Sequence, residues 1–167
     1  ETFFEDAETV SRILGIALTS RELDRETGRP VPLAGFPVHA LDGYLSRLIR
    51  EGLKVAVCEQ TEDPAKARRL VKREVTEVIT PGTIVSGQAL PENETALLAA
   101  LCMRGGRAGL AFCDMSCGEV EAIEMPEADA EAELARRSPR ELLVQEGAPS
   151  MPAGRHAVTL LEQWKFD

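Results

Sequence analysis

Several groups of residues have the types and spacing to do chemistry. Asp114 stands at the end of an apolar run, before a tight turn, and Glu119 and Glu121 follow on one strand face. Carboxylates so placed could hold a divalent metal, but two-metal chemistry needs several converging acids and spacing supplies no other. Cys58 beside Glu59, with His39 elsewhere in the chain, has the types of a nucleophile and its base. Cys58 ends an apolar run, however, and no base is fixed next to it. His39 reads instead as a neutral packing residue at the start of a helix. The four cysteines, Cys58, Cys102, Cys113 and Cys117, and the two histidines have no zinc-like spacing. They read as reduced thiols of a cytosolic protein, with Cys58 and Cys102 as small core residues. Two basic stretches remain, Arg21, Arg25 and Arg29 in one loop and Lys66, Arg68, Arg69, Lys72 and Arg73 in another. Such cations either cover a solvated face or position phosphates, adding affinity without sequence discrimination. No Gly-x-x-x-x-Gly-Lys-Ser/Thr phosphate loop occurs. No catalytic residue and no metal ligand is therefore expected.

The elements that position these residues alternate helix and strand. Thr2 to Leu14 has apolar residues every three or four positions and predicts an amphipathic helix stopped by Gly15. Ile16 to Thr19 is β-prone. Ser20 to Pro37, with three prolines and two glycines, reads as a polar loop with a basic tip. Val38 to Arg50 predicts a second helix. Lys54 to Cys58 reads as a buried strand, Ala65 to Leu70 as a short basic helix behind Asp63-Pro64, and Glu74 to Thr80 as another strand. Thr80-Pro81-Gly82 is a turn. Beyond a polar stretch, Ala96 to Met103, Ala108 to Asp114 and Glu119 to Glu124 read as strands, with a hairpin turn at Arg104-Gly105-Gly106-Arg107. A helix over Glu127 to Arg137 and a strand over Glu141 to Gln145 follow. The β-β-β-α-β order fits the opening of a three-layer α/β domain.

The 167 residues suffice for one ordinary domain or two small ones. The boundary is expected in the polar segment 85–94, between domains at 1–84 and 95–167. No apolar run approaches a membrane span, no basic-then-apolar stretch suggests export, and no membrane partner is expected. Both ends read as cut from something longer. The net charge of −9 argues against broad, non-specific nucleic-acid binding. Residues 1–84 carry 12 Lys+Arg against 14 Asp+Glu, a net of −2, and residues 85–167 carry 7 against 14, a net of −7. The first half leaves room for a DNA-facing surface, which the count alone does not show, and the acidic second half suits protein docking better than DNA binding.

Six stretches, in order, resemble the amino-terminal region of the MutS family of bacterial DNA mismatch-repair proteins. Glu1-Thr2-Phe3-Phe4-Glu5-Asp6-Ala7 resembles the family's Glu-x-Phe-x-x-Asp-Ala. Leu18-Thr19-Ser20-Arg21 resembles Leu-Thr-x-Arg, and Pro32-Leu33-Ala34-Gly35-Phe36-Pro37-Val38-His39-Ala40 resembles Pro-Met-Ala-Gly-x-Pro-x-His-Ala. Cys58-Glu59-Gln60 with Asp63-Pro64-Ala65, then Thr80-Pro81-Gly82-Thr83, then Asp114-Met115-Ser116-Cys117-Gly118 match further pieces in turn. Each piece alone is weak, and the ordered set is specific. Leu33 stands where the family carries Met, Glu62 where it carries Gly, and the loop between Arg21 and Pro30 is long. The family's aromatic pair falls before Glu1, outside this sequence.

The resemblance implies a mixed-sheet α/β mismatch-recognition domain over 1–84, a linker over 85–94, and the beginning of an RNase H-like α/β connector over 95–167. It implies that mispaired and unpaired bases are read through the minor groove of bent DNA. There an aromatic stacks on the mispaired base, and Glu1, two residues later, hydrogen-bonds it. A mispaired step is already poorly held, so unstacking it costs less than unstacking a paired one. It further implies DNA contacts at Arg21, Pro32, Leu33, Ala34 and Gly35, with candidate phosphate contacts at Lys66, Arg68 and Arg69. Mismatched double-stranded DNA, the protein MutL at the connector and a second copy of the parent are the implied partners. ATP and magnesium would serve an ATPase elsewhere in the parent. The 167 residues alone are expected to catalyse nothing and to bind DNA weakly.

Overall fold

A computed structural model describes residues 1–24, 27–62, 71–84, 96–148 and 154–166, with only the backbone at Arg21 and Glu22. The expected helix over Ala65 to Leu70 and the linker 85–94 lie outside the described residues. The chain divides into two compact units, Glu1–Glu51 and Gly52–Asp167. No helix among the described residues is long and apolar enough to cross a membrane.

In the first unit, β1 (Thr2–Phe3) runs directly into α1 (Phe4–Leu14), followed by β2 (Leu18–Leu23), β3 (Pro30–Ala34), a 3-10 turn (Val38–Ala40) and α2 (Leu41–Arg50). The helical period is real, since Ala7, Val10 and Leu14 are the buried positions of α1. Gly15 stops the helix at φ 69° and donates its N–H to the Ser11 carbonyl at 2.9 Å. Thr2 and Phe3, expected in that helix, are instead paired to β3, and the chain switches from strand to helix at Phe4 with φ 54°. α2 buries Leu45, Leu48 and Ile49. Its Arg47 donates to the carbonyls of Leu14 at 3.1 Å and Ile13 at 2.7 Å, closing the exposed end of α1.

The segment expected as a polar loop is a β-hairpin over much of its length. Leu18–Leu23 pairs antiparallel with Pro30–Ala34, in the sheet order β1-β3-β2. Prolines hide the strand from a sequence reading because they cannot donate to a ladder. Here they are accommodated: β1 pairs only with Leu33 and Ala34, so Pro30 and Pro32 lie where β3 has a single neighbour. Asp24 organises the turn, accepting from the Thr27 amide at 2.6 Å and the Thr27 hydroxyl at 2.8 Å.

In the second unit, β4 (Val55–Gln60) pairs antiparallel with β5 (Arg73–Ile79). β4 is not the buried strand expected. Val55 and Val57 are half-buried, while Cys58 is exposed just past a register shift. β5 is its one partner among the described strands. All four cysteines are free thiols. The β-β-β-α-β order then appears as read: β6 (Leu97–Arg104), β7 (Arg107–Asp114), β8 (Glu119–Pro126), α3 (Ala130–Arg137) and β9 (Glu141–Gln145). A further strand, β10 (Ala157–Leu161), was not legible. The sheet is mixed, ordered β10-β9-β6-β7-β8, with β9 parallel to both its neighbours. Leu101, Leu110, Phe112, Leu134, Leu142 and Val144 form its core.

Two polar assemblies complete this unit. Glu141 is 2% exposed. One carboxylate oxygen accepts from the Gly82 amide at 3.1 Å and the Thr80 hydroxyl, and the other accepts from the Thr159 hydroxyl. A Cβ at Gly82 would lie 2.7 Å from Leu98 Cδ1 and 2.8 Å from Glu141 Cβ, so no side chain fits there. The second assembly holds α3 to the sheet. Arg137 bridges Glu121 at 2.6 Å and Glu133 at 3.1 Å, with its guanidinium 5.1 Å from the centre of the Phe112 ring.

Gly82→Ala is therefore expected to cost about 1–3 kcal/mol by overpacking. Gly109→Ala, whose Cβ would meet nothing closer than the Cys102 carbonyl at 3.9 Å, should be near neutral. Urea midpoints of the two variants check this, and equal midpoints would refute the seat assigned to Gly82. The hydrogen bond from Arg136, reinforced by Arg137, lowers the Glu133 carboxyl from the usual 4.5 to about 2. Its folded value is depressed, so this contribution is complete above about pH 4.5 and disappears as pH falls towards 2. Glu133→Gln should flatten that acid limb of the thermal midpoint against pH, and an unchanged limb would remove Glu133 as its source.

Candidate nucleic-acid interface

The antiparallel register of the first unit decides which side chains face outward. Thr2, Ala34 and Leu18 lie opposite one another, as do Phe3, Leu33 and Thr19. Side chains alternate along a strand, so the two sets occupy opposite faces. Helix α1 packs against β3. Ala34 is 1% exposed and belongs to the covered face. On the other face Phe3 is 49% exposed, Thr19 is exposed and Leu33 is half-buried.

Glu1 and Gly35 continue this register by one step beyond Thr2 and Ala34, and both are exposed. A Cβ built on Gly35 would lie 3.3 Å from Glu1 Cγ. Two threonine hydroxyls fasten the strands: Thr2 donates to the Ala34 carbonyl at 3.2 Å and Thr19 to the Leu33 carbonyl at 3.1 Å. The face thus presents one carboxylate, an aromatic ring, an aliphatic side chain and a bare glycine backbone, on a three-stranded sheet. Chemically it can accept a hydrogen bond at Glu1 and lay apolar surface against a flat or sugar-like ligand.

Of the residues singled out in the sequence, Glu1, Leu33 and Gly35 come together on this outward face. Pro32 is half-buried on β3, and Ala34 points inward, so Ala34 can offer a ligand backbone only. The Arg21 backbone lies in β2. Lys66, Arg68 and Arg69 lie outside the described residues. Phe3 was missed, because the helical reading carried it into α1. The alternation Glu1, Phe3 before an Asp-Ala helix start is the signal that could have found it. His39, expected to pack, is exposed in the 3-10 turn.

Two of the three acids singled out in the second unit, Asp114 and Glu121, are otherwise engaged. Asp114 accepts from the Ser116 hydroxyl at 2.6 Å and amide at 2.8 Å, which hold its carboxyl below the ordinary value. Glu121 is bound to Arg137. No group of three His, Cys, Asp or Glu residues suited to a metal occurs among the described residues.

Comparison with known proteins gives two consecutive matches. Residues 1–88 match the family model described as MutS domain I, and residues 96–167 match MutS domain II. The DNA mismatch repair protein MutS of Methanothrix thermoacetophila is 50% identical over 147 residues, covering 88% of this chain and 17% of its own length. That of Symbiobacterium thermophilum is 46% identical over 157 residues, covering 92% of this chain and 18% of its own. The MutS of Thermosynechococcus vestitus is 46% identical over 152 residues, covering 90% and 17% respectively. The chain therefore spans under a fifth of the length of these relatives.

The two faces of β3 should separate stability from binding. Ala34→Leu, on the covered face, is expected to cost about 1–3 kcal/mol by overpacking. Leu33→Ala, on the open face, should cost about 1 kcal/mol or less. Chemical denaturation followed by circular dichroism checks the order, and a larger loss at Leu33 would reverse the assignment of faces.

Proposed function

This chain belongs to the MutS family of DNA mismatch-repair proteins, and on that premise we propose that it reads mispaired and unpaired bases through the minor groove of bent duplex DNA. The observation that carries the reading is the gathering of Glu1, Phe3, Leu33 and Gly35 on the one sheet face that α1 leaves uncovered. Residues 1–84 would form the reader, 85–94 a linker and 95–167 the connector.

On this reading Glu1 accepts a hydrogen bond from the edge of the mispaired base. A carboxylate near phosphates is repelled, so only a specific bond of this kind makes it tolerable there. The stacking aromatic precedes Glu1, and base–aromatic stacking of about 1–3 kcal/mol suits a reader of many different mispairs because every base has a π-face. Leu33 and the backbone from Pro32 to Gly35 lie along the sugar edges. Arg21 contacts the DNA backbone or groove near the mispair, and Lys66, Arg68 and Arg69 contact phosphates, adding affinity without discrimination.

The rest of the proposal concerns the longer protein. The connector would dock MutL, the parent would act as a homodimer in the cytoplasm, and its ATPase would use ATP and magnesium. The residues of this chain do not fit a nucleotide triphosphate, because no phosphate-binding loop occurs in the sequence, and no step is assigned to one.

Fluorescence anisotropy of full-length protein against matched and G·T-containing duplexes tests the reading. Glu1→Ala should lower the ratio of mismatched to matched affinity by about tenfold, the loss of one charged hydrogen bond. Matched-duplex affinity should hold or rise slightly. A Glu1→Ala variant with undiminished mismatch preference would end the proposal.

A further inference from the structure

Gly35 invites two explanations that the geometry separates. Glycine is required where the backbone is left-handed, but Gly35 is absent from the positive-φ residues of the chain. Any amino acid could adopt its conformation. The need for glycine here is for space.

That space has an occupant. The nearest atoms to a Cβ placed on Gly35 are Glu1 Cγ at 3.3 Å, Glu1 Cα at 3.8 Å and Glu1 Cβ at 4.0 Å. No other residue comes closer than these. The approach is set by the adjacent pair, because Thr2 pairs with Ala34 in the ladder and is bonded to its carbonyl at 3.2 Å. Glu1 thus crosses the bare backbone of Gly35, and the Thr2 pairing limits how far it can withdraw.

We infer that Gly35 is a positioning residue for Glu1: the missing side chain is a seat that sets where the Glu1 carboxylate stands on the open face. The inference rests on the reading that Glu1 hydrogen-bonds a mispaired base, and assigns Gly35 a part in discrimination rather than in general DNA affinity. A methyl group at position 35 must push the Glu1 side chain by a few tenths of an ångström, and a branched side chain by more. A hydrogen bond weakens steeply with lost alignment, so a small displacement is enough to matter.

The test is a double-mutant cycle in the full-length protein, read as the ratio of G·T-duplex to matched-duplex affinity. Gly35→Ala should lower that ratio roughly threefold and Gly35→Val nearly as far as Glu1→Ala, about tenfold. In the Glu1→Ala background both Gly35 substitutions should leave the ratio unchanged, because nothing remains to misplace. Circular dichroism melting of each variant separates misfolding from displacement. Three results overturn the inference. The first is an intact ratio in Gly35→Ala and Gly35→Val while Glu1→Ala lowers it. The second is full addition of their effects to that of Glu1→Ala. The third is equal weakening of both duplexes in either background, the mark of a glycine that admits the DNA itself. If Glu1→Ala alone leaves the ratio intact, the broader reading fails instead.

Discussion

Two backbone pairings, Thr2 with Ala34 and Phe3 with Leu33, fix the geometry of the open face. A slip of one residue turns every side chain of a strand to the other side. Here it would bury Glu1 and Phe3 under α1 and expose Thr2. The two-residue strand β1 is too short to hold register by ladder bonds alone. It is helped by the Thr2 hydroxyl on the Ala34 carbonyl, and by the small size of Ala34, which lets α1 lie close on that face. The chain then enters α1 without a connecting loop, at the cost of a left-handed Phe4, a conformation worth of order 1–3 kcal/mol in strain for a bulky residue. Burial of Ala7, Val10 and Leu14 and the grip of Arg47 on the far end of α1 offset it. The strain lies three residues from the proposed hydrogen-bonding carboxylate, and sharp reversal there is what brings helix and strand to opposite sides of the same short segment.

The second unit is organised around a different device. Glu141 is a buried acid whose two side-chain oxygens accept from hydroxyls and an amide. Hydrogen bonds of this kind are directional. They draw together the turn after β5, the first residue of β9 and the middle of β10, while Gly82 supplies the only shape that lets the turn come close enough. The Thr80-Pro81-Gly82-Thr83 sequence is thus explained by architecture. Thr80 and Thr83 close the turn through mutual bonds, including 2.9 Å between their hydroxyls, and Glu141 holds it against the sheet.

What a sequence reveals depends on the range of the interaction responsible. Both long helices of the first unit and the strands β6 to β8 follow local periodicity, and their places were legible. The β2–β3 hairpin was not, because Pro30 and Pro32 argue against a ladder unless β1 is known to stop short of them. Cys58 was read as core because its run is apolar, whereas burial depends on neighbours that β4 lacks among the described strands. Glu141 looked like a strand residue and nothing more, since its ligands stand 59 and 61 positions earlier and 18 later. The candidate site was legible only through resemblance. Register, a long-range property, then sorted its members, sending Ala34 inward and bringing the unsuspected Phe3 outward beside Leu33.

That sorting bears on how an acidic chain could read DNA. A broad positive surface would bind every duplex, and the affinity gained from phosphates is the same at matched and mismatched sites. Discrimination is a difference between two affinities, so it gains nothing from that shared term. On the proposed reading a carboxylate set among apolar groups does the reverse: against a well-stacked duplex it would repel phosphates and gain nothing from the paired bases. Against a base that leaves its stack at low cost, the carboxylate acquires a donor and the apolar groups acquire a surface. On the proposed reading the selectivity therefore comes from the carboxylate and the apolar groups, and the cations that contact phosphates add affinity that matched and mismatched sites share.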